Sequence, residues 1–352
     1  METSGQAQMI FDGHNDVLTD LYKAGQGAGG FLTALPGHID LPRAQAGGFG
    51  GGFFAIWIPS ESDFSAAMEE MKKAQYAVPL SPSISFSDAI PSAMAEAALL
   101  LELQALGALS ICKTVAEIEA CRADGRLAAI MHLEGAEAID PGFDTLEVLY
   151  AAGLRSLGPV WSRPTIYGEG VPFAFPAGPD HGRGLTADGE RLVAKCNRMG
   201  VMIDLSHLNE AGFWDVARLS DAPLVATHSN AHAITPHARN LTDKQLDAIA
   251  ESDGMVGLNF ATGMLRPDGA MVPDTPISDM LAHLDHLITR LGETRVGLGS
   301  DFDGATVPDA ITDVTGLPVL VQAMRDHGYD EALVERLCWG NWMRVLRATW
   351  GG

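Results

Sequence analysis

Six residues of metal-ligating or proton-carrying type stand at the ends of short apolar runs: His14, Asp16, Glu134, His207, His228 and Asp301. His14 and Asp16 close the first run, Ile10-Phe11-Asp12-Gly13-His14-Asn15-Asp16, two residues apart. Side chains alternate faces along an extended strand, so this pair points one way and can reach a single ion. An imidazole with a carboxylate suits zinc or a similar borderline divalent cation. Spacing alone is not decisive, because His38-Ile39-Asp40 repeats it. That second copy follows the turn-like Ala34-Leu35-Pro36-Gly37 and runs into Leu41-Pro42-Arg43, so Asp40 reads as a helix cap or loop residue rather than a ligand.

The elements that must position these residues follow from hydrophobic patterning. Short apolar, β-branched runs over 9–13, 53–58, 127–133, 154–160, 201–205, 224–227, 255–260 and 296–299 predict strands. Amphipathic stretches over 65–77, 93–109, 145–152, 186–198, 210–218, 242–250 and 277–291 predict helices between most of them. Eight strands alternating with helices point to an α/β fold, a (β/α)8 TIM-type barrel, with residues 1–352 as a single domain. The stretches 59–125 and 161–184 read as long loops, the places where barrel enzymes build substrate pockets. Residues 317–350 read as a helical segment packed on the barrel, broken at Gly340-Asn341. The run Gly47-Gly48-Phe49-Gly50-Gly51-Gly52 precedes a strand instead of joining strand to helix, so it is not a dinucleotide fingerprint.

In a barrel the C-terminal ends of all strands face one rim. Glu134 ends Ala129-Ile130-Met131-His132-Leu133-Glu134, His207 follows Met202-Ile203-Asp204-Leu205-Ser206, His228 ends Val225-Ala226-Thr227-His228, and Asp301 ends Val296-Gly297-Leu298-Gly299-Ser300-Asp301. Each has a plain structural reading: Asp16 capping a helix, Glu134 paired with Arg155, His207 or His228 as a core histidine. Six such placements on one rim are better explained by a shared site. His132, His232, His237, His283 and His286 lack that placement and read as structural or supporting residues.

The ligand count predicts two ions. His14, Asp16 and Glu134 would hold one, and His207, His228 and the second oxygen of Glu134 the other, each with an open position for catalysis. A bridging hydroxide fits between them, and Asp301 is left as the proton shuttle. Asp16, Glu134, Asp301 and that hydroxide balance two divalent cations, so the buried cluster is close to neutral. Zinc suits these mixed nitrogen and oxygen donors, as would manganese, cobalt or iron.

Composition narrows the function classes. A formal net charge of −22, with no basic stripe, argues against a nucleic-acid partner. The most apolar long stretch, Ala93 to Cys112, is interrupted by Glu96, Glu102 and Gln104, so no membrane span is expected. Only Met1 to Ala7 precede the first strand, which leaves no room for a signal peptide and predicts a cytoplasmic location. Cys112, Cys121, Cys196 and Cys338 lack paired short spacing and read as buried free thiols.

Across nearly its whole length the chain resembles the membrane (renal) dipeptidase family of dizinc peptidases, among the amidohydrolase-like barrels. The resemblance is carried by Asp12-Gly13-His14-Asn15-Asp16, His132-Leu133-Glu134-Gly135, Ile203-Asp204-Leu205-Ser206-His207, Thr227-His228-Ser229-Asn230-Ala231, Ala238-Arg239-Asn240 and Gly299-Ser300-Asp301-Phe302-Asp303-Gly304. It implies His14 and Asp16 on one zinc, His207 and His228 on the other, Glu134 bridging, and Asp301 as acid and base. It adds Arg239 as the residue that holds the substrate carboxylate. The implied activity is hydrolysis of small dipeptides, L,L and also L,D, by attack of the metal-bridging hydroxide; the implied assembly is a homodimer.

Two departures bear on substrate. Trp161 stands where animal members carry an active-site histidine, and Ala261 where they carry a tyrosine. Arg163 or Tyr167 of the long loop is the candidate for the missing polar contact. Hydrolysis of an N-acyl amino acid or a lactone would use the same metals and shuttle with a different pocket. A non-hydrolytic metal-binding or maturation protein on this fold is the reading from another class, although such a protein has no need of Asp301.

Overall fold

Strands that lie inside a parallel sheet are buried on both faces, and the apolar runs of this chain behave accordingly. In the computed structural model Ile10–Asn15, Phe49–Trp57, Leu127–Glu134, Leu154–Gly158, Met202–Ile203, Val225–Ala226, Met255–Asn259 and Val296–Gly299 form eight parallel strands, nearly all of their residues buried. These are the first to eighth barrel strands. Each pairs with its neighbour in chain order, and the first pairs with the eighth. The fifth and sixth meet through one parallel bridge, Asp204 with Val225, where the Leu205 N–H donates to Val225 O at 2.9 Å. The ring is thus a nearly closed barrel, its narrowest seam at that bridge. The structure describes residues 8–59 and 64–351. Residues 1–7, 60–63 and 352 lie outside the described residues, and with them the expectation drawn from Met1 to Ala7 and part of the 59–125 stretch.

Helices cover the barrel with one apolar face each. Ile277–Leu291 buries Met280, Leu281, Leu284, Leu287 and Leu291, the three-and-four spacing of a core-facing stripe. Asp40 is a cap, as its context predicts: its side chain accepts from the Arg43 N–H at the start of helix Leu41–Ala46. No helix among the described residues is long and apolar enough to cross a membrane, and all four cysteines are buried and free.

Four expectations need correction. Residues 59–125 are not a loop: they hold helices Phe64–Glu70, Phe86–Ala105 and Val115–Asp124 and strands Tyr76–Val78 and Leu109–Ile111. The predicted helix 65–77 therefore stops at Glu70, and Tyr76–Val78 pairs antiparallel with Phe173–Phe175 from the other long connection. Helix Phe86–Ala105 starts at the Ser85 cap, ahead of the expected residue 93, and carries Pro91 inside it. At its far end Leu109–Ile111 adds to the third strand instead of continuing the helix. In the C-terminal segment the break falls at Gly328, which ends helix Leu317–His327 in a left-handed conformation, and not at Gly340-Asn341, where a π-helical turn passes directly into the last helix.

That segment plugs the N-terminal mouth of the barrel. Trp339 stacks edge-on to Phe11, with ring centroids 5.4 Å apart, and Trp342 lies 5.1 Å from Phe53 while its Nε1–H donates to Leu298 O at 3.0 Å. The floor is therefore apolar and the polar residues are confined to the other end.

The glycine run belongs to the second strand, which begins at Phe49 rather than Phe53. Gly51 has φ 147°, and a Cβ there would lie 2.1 Å from the carbonyl oxygen of Ala128 on the third strand. Gly51→Ala is expected to destabilise the fold by more than about 2 kcal/mol through backbone strain and lost pairing. A lower denaturation midpoint with an unchanged slope is the expected readout.

Candidate metal centre

The C-terminal ends of five strands bring the expected ligands to one point. His207 Nε2 lies 3.0 Å from Glu134 Oε1, and His14 Nε2 and His228 Nε2 each lie 3.6 Å from the same oxygen. Asp16 Oδ2 is 3.3 Å from His14 Nε2. Three donor sets result among the described residues: Glu134 with His207 and His228, His14 with Asp16 and Asp301, and His14 with Asp204 and His228. The first is the set expected for one ion. The second differs from expectation by holding the Asp301 carboxylate close enough to share the other ion's place.

The donors fit a cation. Both ring nitrogens of His14 are buried without a hydrogen-bond partner among the described residues. His207 Nε2 and His228 Nε2 face each other at 3.1 Å. Thr227 Oγ1 donates its proton to Asp204 Oδ2 at 2.6 Å, so it can only accept from His228 Nδ1 at 2.8 Å, which leaves His228 Nε2 a bare lone pair. Ser162 Oγ, 2.9 Å from His207 Nδ1, can do the same for that ring. Burial lowers both histidines well below their ordinary pKa, with Arg239 adding to it for His207 and His14 for His228. Burial also raises Glu134 and Asp301. His14 goes the other way: burial would lower it, but Glu134 and Asp16 lift it to about 10. Buried carboxylates that resist ionising, beside imidazoles that resist protonation, are what a divalent cation stabilises in its ligands.

Surrounding groups fix these side chains. Asp204, which sequence reasoning passed over, accepts from Thr227 and Ser206 through both backbone and hydroxyl and so joins the fifth and sixth strand ends. Its signal was present: an acid inside the apolar run Met202 to Leu205. His132 sits beneath, 2.9 Å from Ser156 Oγ, in the supporting place expected of it. Asp301 has φ 58°, a left-handed conformation unusual for aspartate. Its N–H donates to His14 O at 3.0 Å, Asn259 Nδ2 donates to its Oδ2 at 2.9 Å, and Asp12 anchors the preceding Ser300. Asn259 and Asp12 were also missed as site residues.

Gly304 closes this turn. A Cβ there would stand 2.2 Å from Asp16 Oδ2 and 2.4 Å from Asp301 Oδ1. Gly304→Ala is therefore expected to weaken metal binding at least about tenfold, as displaced ligand positioning does elsewhere. Metal content after dialysis against a limiting chelator would report it.

Above the centre lies a pocket with Asp16, Glu134, His207 and Asp301 at its base. Its walls are aromatic and methionine-rich, with Trp57, Trp161, Met71, Met264 and Met271 among them, and Ala261 opens one side. The expected polar contact from the long loop is absent. Arg163 is buried beneath the wall, its Nε donating to Glu137 Oε1 at 2.8 Å, and the Tyr167 hydroxyl donates to Ile139 O at 3.0 Å. Both point into the fold, although Arg163 Nη1 has no hydrogen-bond partner among the described residues. Glu134 has no tie to Arg155, whose guanidinium donates to carbonyls of Lys113, Tyr150 and Leu154. Arg239 is different: buried, it makes only long contacts to Ser229 Oγ and His228 O, and among the described residues it has no ion pair.

The model of the membrane dipeptidase family (peptidase family M19) matches residues 5–350. A crystal structure of a metallo peptidase from Rhodobacter sphaeroides, liganded with a phosphinate mimic of the dipeptide L-Ala-D-Ala, is 56% identical; the match covers 98% of this chain and 100% of that one, with a TM-score of 0.96. A second solved structure, described as dipeptidase AC, a metallo peptidase of family M19, is 55% identical over 99% of this chain and 100% of its own, again with a TM-score of 0.96. An uncharacterized protein encoded in the pqqA 5' region of Klebsiella pneumoniae is 49% identical over 69% of this chain and 90% of its own.

Proposed function

Because the chain belongs to the membrane dipeptidase family, peptidase family M19, we propose that this metallopeptidase hydrolyses small dipeptides, including those with a D-residue at the C-terminal position, as one barrel domain carrying two metal ions. The observation that carries the reading is the meeting of three imidazole Nε2 atoms on one Glu134 oxygen, with a buried Arg239 that has no ion pair among the described residues. The L-Ala-D-Ala mimic bound by the Rhodobacter sphaeroides relative supports the stereochemistry.

His14 and Asp16 would hold one zinc ion, His207 and His228 the other, and Glu134 would bridge them. When bound, such ions supply an acidified water nucleophile and a Lewis acid for the scissile carbonyl. Asp301, held by Asn259, takes the proton of the attacking water and returns it to the leaving nitrogen, which departs as an amine. Arg239 pairs with the carboxylate of the leaving residue and so fixes the amide over the centre. The aromatic and methionine wall shields the reacting groups from bulk water, and its flexible thioethers accept side chains of differing size.

The test is turnover across a panel of L,L and L,D dipeptides, with N-acyl amino acids and lactones alongside, on samples whose metal content is measured. Dipeptide hydrolysis that scales with two equivalents of metal is the expected result. No dipeptide turnover by metal-loaded protein, or faster turnover of the acyl or lactone substrates, would sink the proposal.

A further inference from the structure

Two buried donors on the loop after the sixth strand have no partner among the described residues: Arg239 Nε and His237 Nε2. Both residues are sealed from solvent, His237 completely. His237 Nδ1 accepts the backbone N–H of Arg239 at 3.0 Å, so the proton of the neutral ring sits on Nε2 and that atom is a donor. Buried donors left unmet are rare and call for an explanation. Two of them within three residues, beside a guanidinium that lacks an ion pair, call for a ligand that is anionic and offers more than one acceptor.

The loop is rigid where these groups are mounted. The Ala238 N–H donates to Ala174 O at 3.0 Å, the Ala177 N–H to Pro236 O at 2.8 Å, and Asn240 Nδ2 to Thr235 O and Met264 O at 2.9 Å each. The His237 ring lies against Tyr76 and Phe173, with centroids 5.9 and 6.5 Å away, and Phe173 is part of the pocket wall. The His237 ring therefore packs against the wall residue Phe173, two positions before Arg239 in the chain.

We infer that His237 is a second recognition residue for the substrate's free C-terminal carboxylate, its Nε2–H donating to one oxygen while Arg239 binds the other. The inference rests on the dipeptidase reading above. It adds a neutral, directional donor to a charge, and so selects a planar carboxylate over a C-terminal amide, whose nitrogen, itself a donor, would face one of these two groups.

Two variants separate recognition from structural support. In His237→Asn the amide oxygen takes the place of Nδ1 and keeps the Arg239 N–H bond, while the distal donor is lost. In His237→Gln the amide reaches the place of Nε2 and restores a donor. With metal-loaded enzyme, His237→Asn is expected to raise KM for a dipeptide about 10- to 100-fold, the worth of a hydrogen bond to a charged group. Expected alongside are little change in kcat, metal content and thermal midpoint, and recovery of most of the loss in His237→Gln. On the C-terminal amide of the same dipeptide, His237→Asn and wild type should be alike. In wild-type protein labelled with 15N-histidine, a phosphinate dipeptide mimic should shift the His237 Nε2–H resonance downfield, a readout that needs no variant. A wild-type KM in His237→Asn, an equal loss on the amide, a glutamine variant no better than asparagine, or an unmoved resonance would each overturn the inference while leaving the dipeptidase reading in place. Absence of dipeptide turnover in the wild type would overturn both.

Discussion

Asp301→Asn is expected to lower kcat about 10²- to 10⁴-fold, the range that a positioned general acid and base contributes. Asparagine has the shape of aspartate and can keep the contact to Asn259 after an amide flip, but it cannot take a proton from water. Metal analysis of the same variant decides between the two places that the geometry allows Asp301. If it acts only on the proton, both equivalents of metal remain and KM changes little. If it is also a ligand of the His14 and Asp16 ion, one equivalent is lost. Full turnover with full metal would remove Asp301 from the reaction.

Glu134→Gln is expected to have the other large effect, at the level of assembly. Among the described residues the carboxylate is the one anion within reach of His14, His207 and His228 together. A neutral amide in its place should weaken metal binding more than about 100-fold, beyond the range seen when only a supporting partner of a ligand is lost. Stability should move the opposite way in the two forms. Burial raises the pKa of Glu134, so without metal the carboxylate is a cost to the fold that glutamine relieves, and the metal-free variant should melt no lower than the metal-free wild type. With metal the wild type should gain stability by mass action and the variant should not. Parallel melting curves with and without zinc provide the check; an equal gain in both proteins would contradict the bridging role.

Much of the barrel could be read from the chain because parallel strands buried on both faces leave continuous apolar runs, and all eight runs form strands. The ligand set was legible for a related reason. A buried strand that ends in a histidine or an acid breaks its own pattern, and His14, Glu134, His207, His228 and Asp301 all do so. What escaped was set by contacts distant in sequence. Tyr76–Val78 is a strand only because Phe173–Phe175 pairs with it, and Leu109–Ile111 only because the third strand has a free half-edge. Gly51 is a strand residue because a neighbouring carbonyl leaves no room for a side chain. Asp204 and Asn259 act through other side chains, and nothing in their own neighbourhood of sequence says which. Arg163 and Tyr167 carried polar groups suited to a pocket, but partners brought from Glu137 and Ile139 turn them inward.

The seam between the fifth and sixth strands has a consequence for when the centre comes into being. His207 lies just beyond the Asp204 side of the bridge and His228 just beyond the Val225 side. Residues up to Gly158 supply His14, Asp16 and Glu134, and those after it supply His207, His228, Arg239 and Asp301, so neither portion of the chain contains the whole centre. The first strand must also meet the eighth before Asp301 can hang from the carbonyl of His14. The strands that carry His14, Asp16 and Glu134 therefore meet those that carry His207, His228 and Asp301 only when the circle is joined.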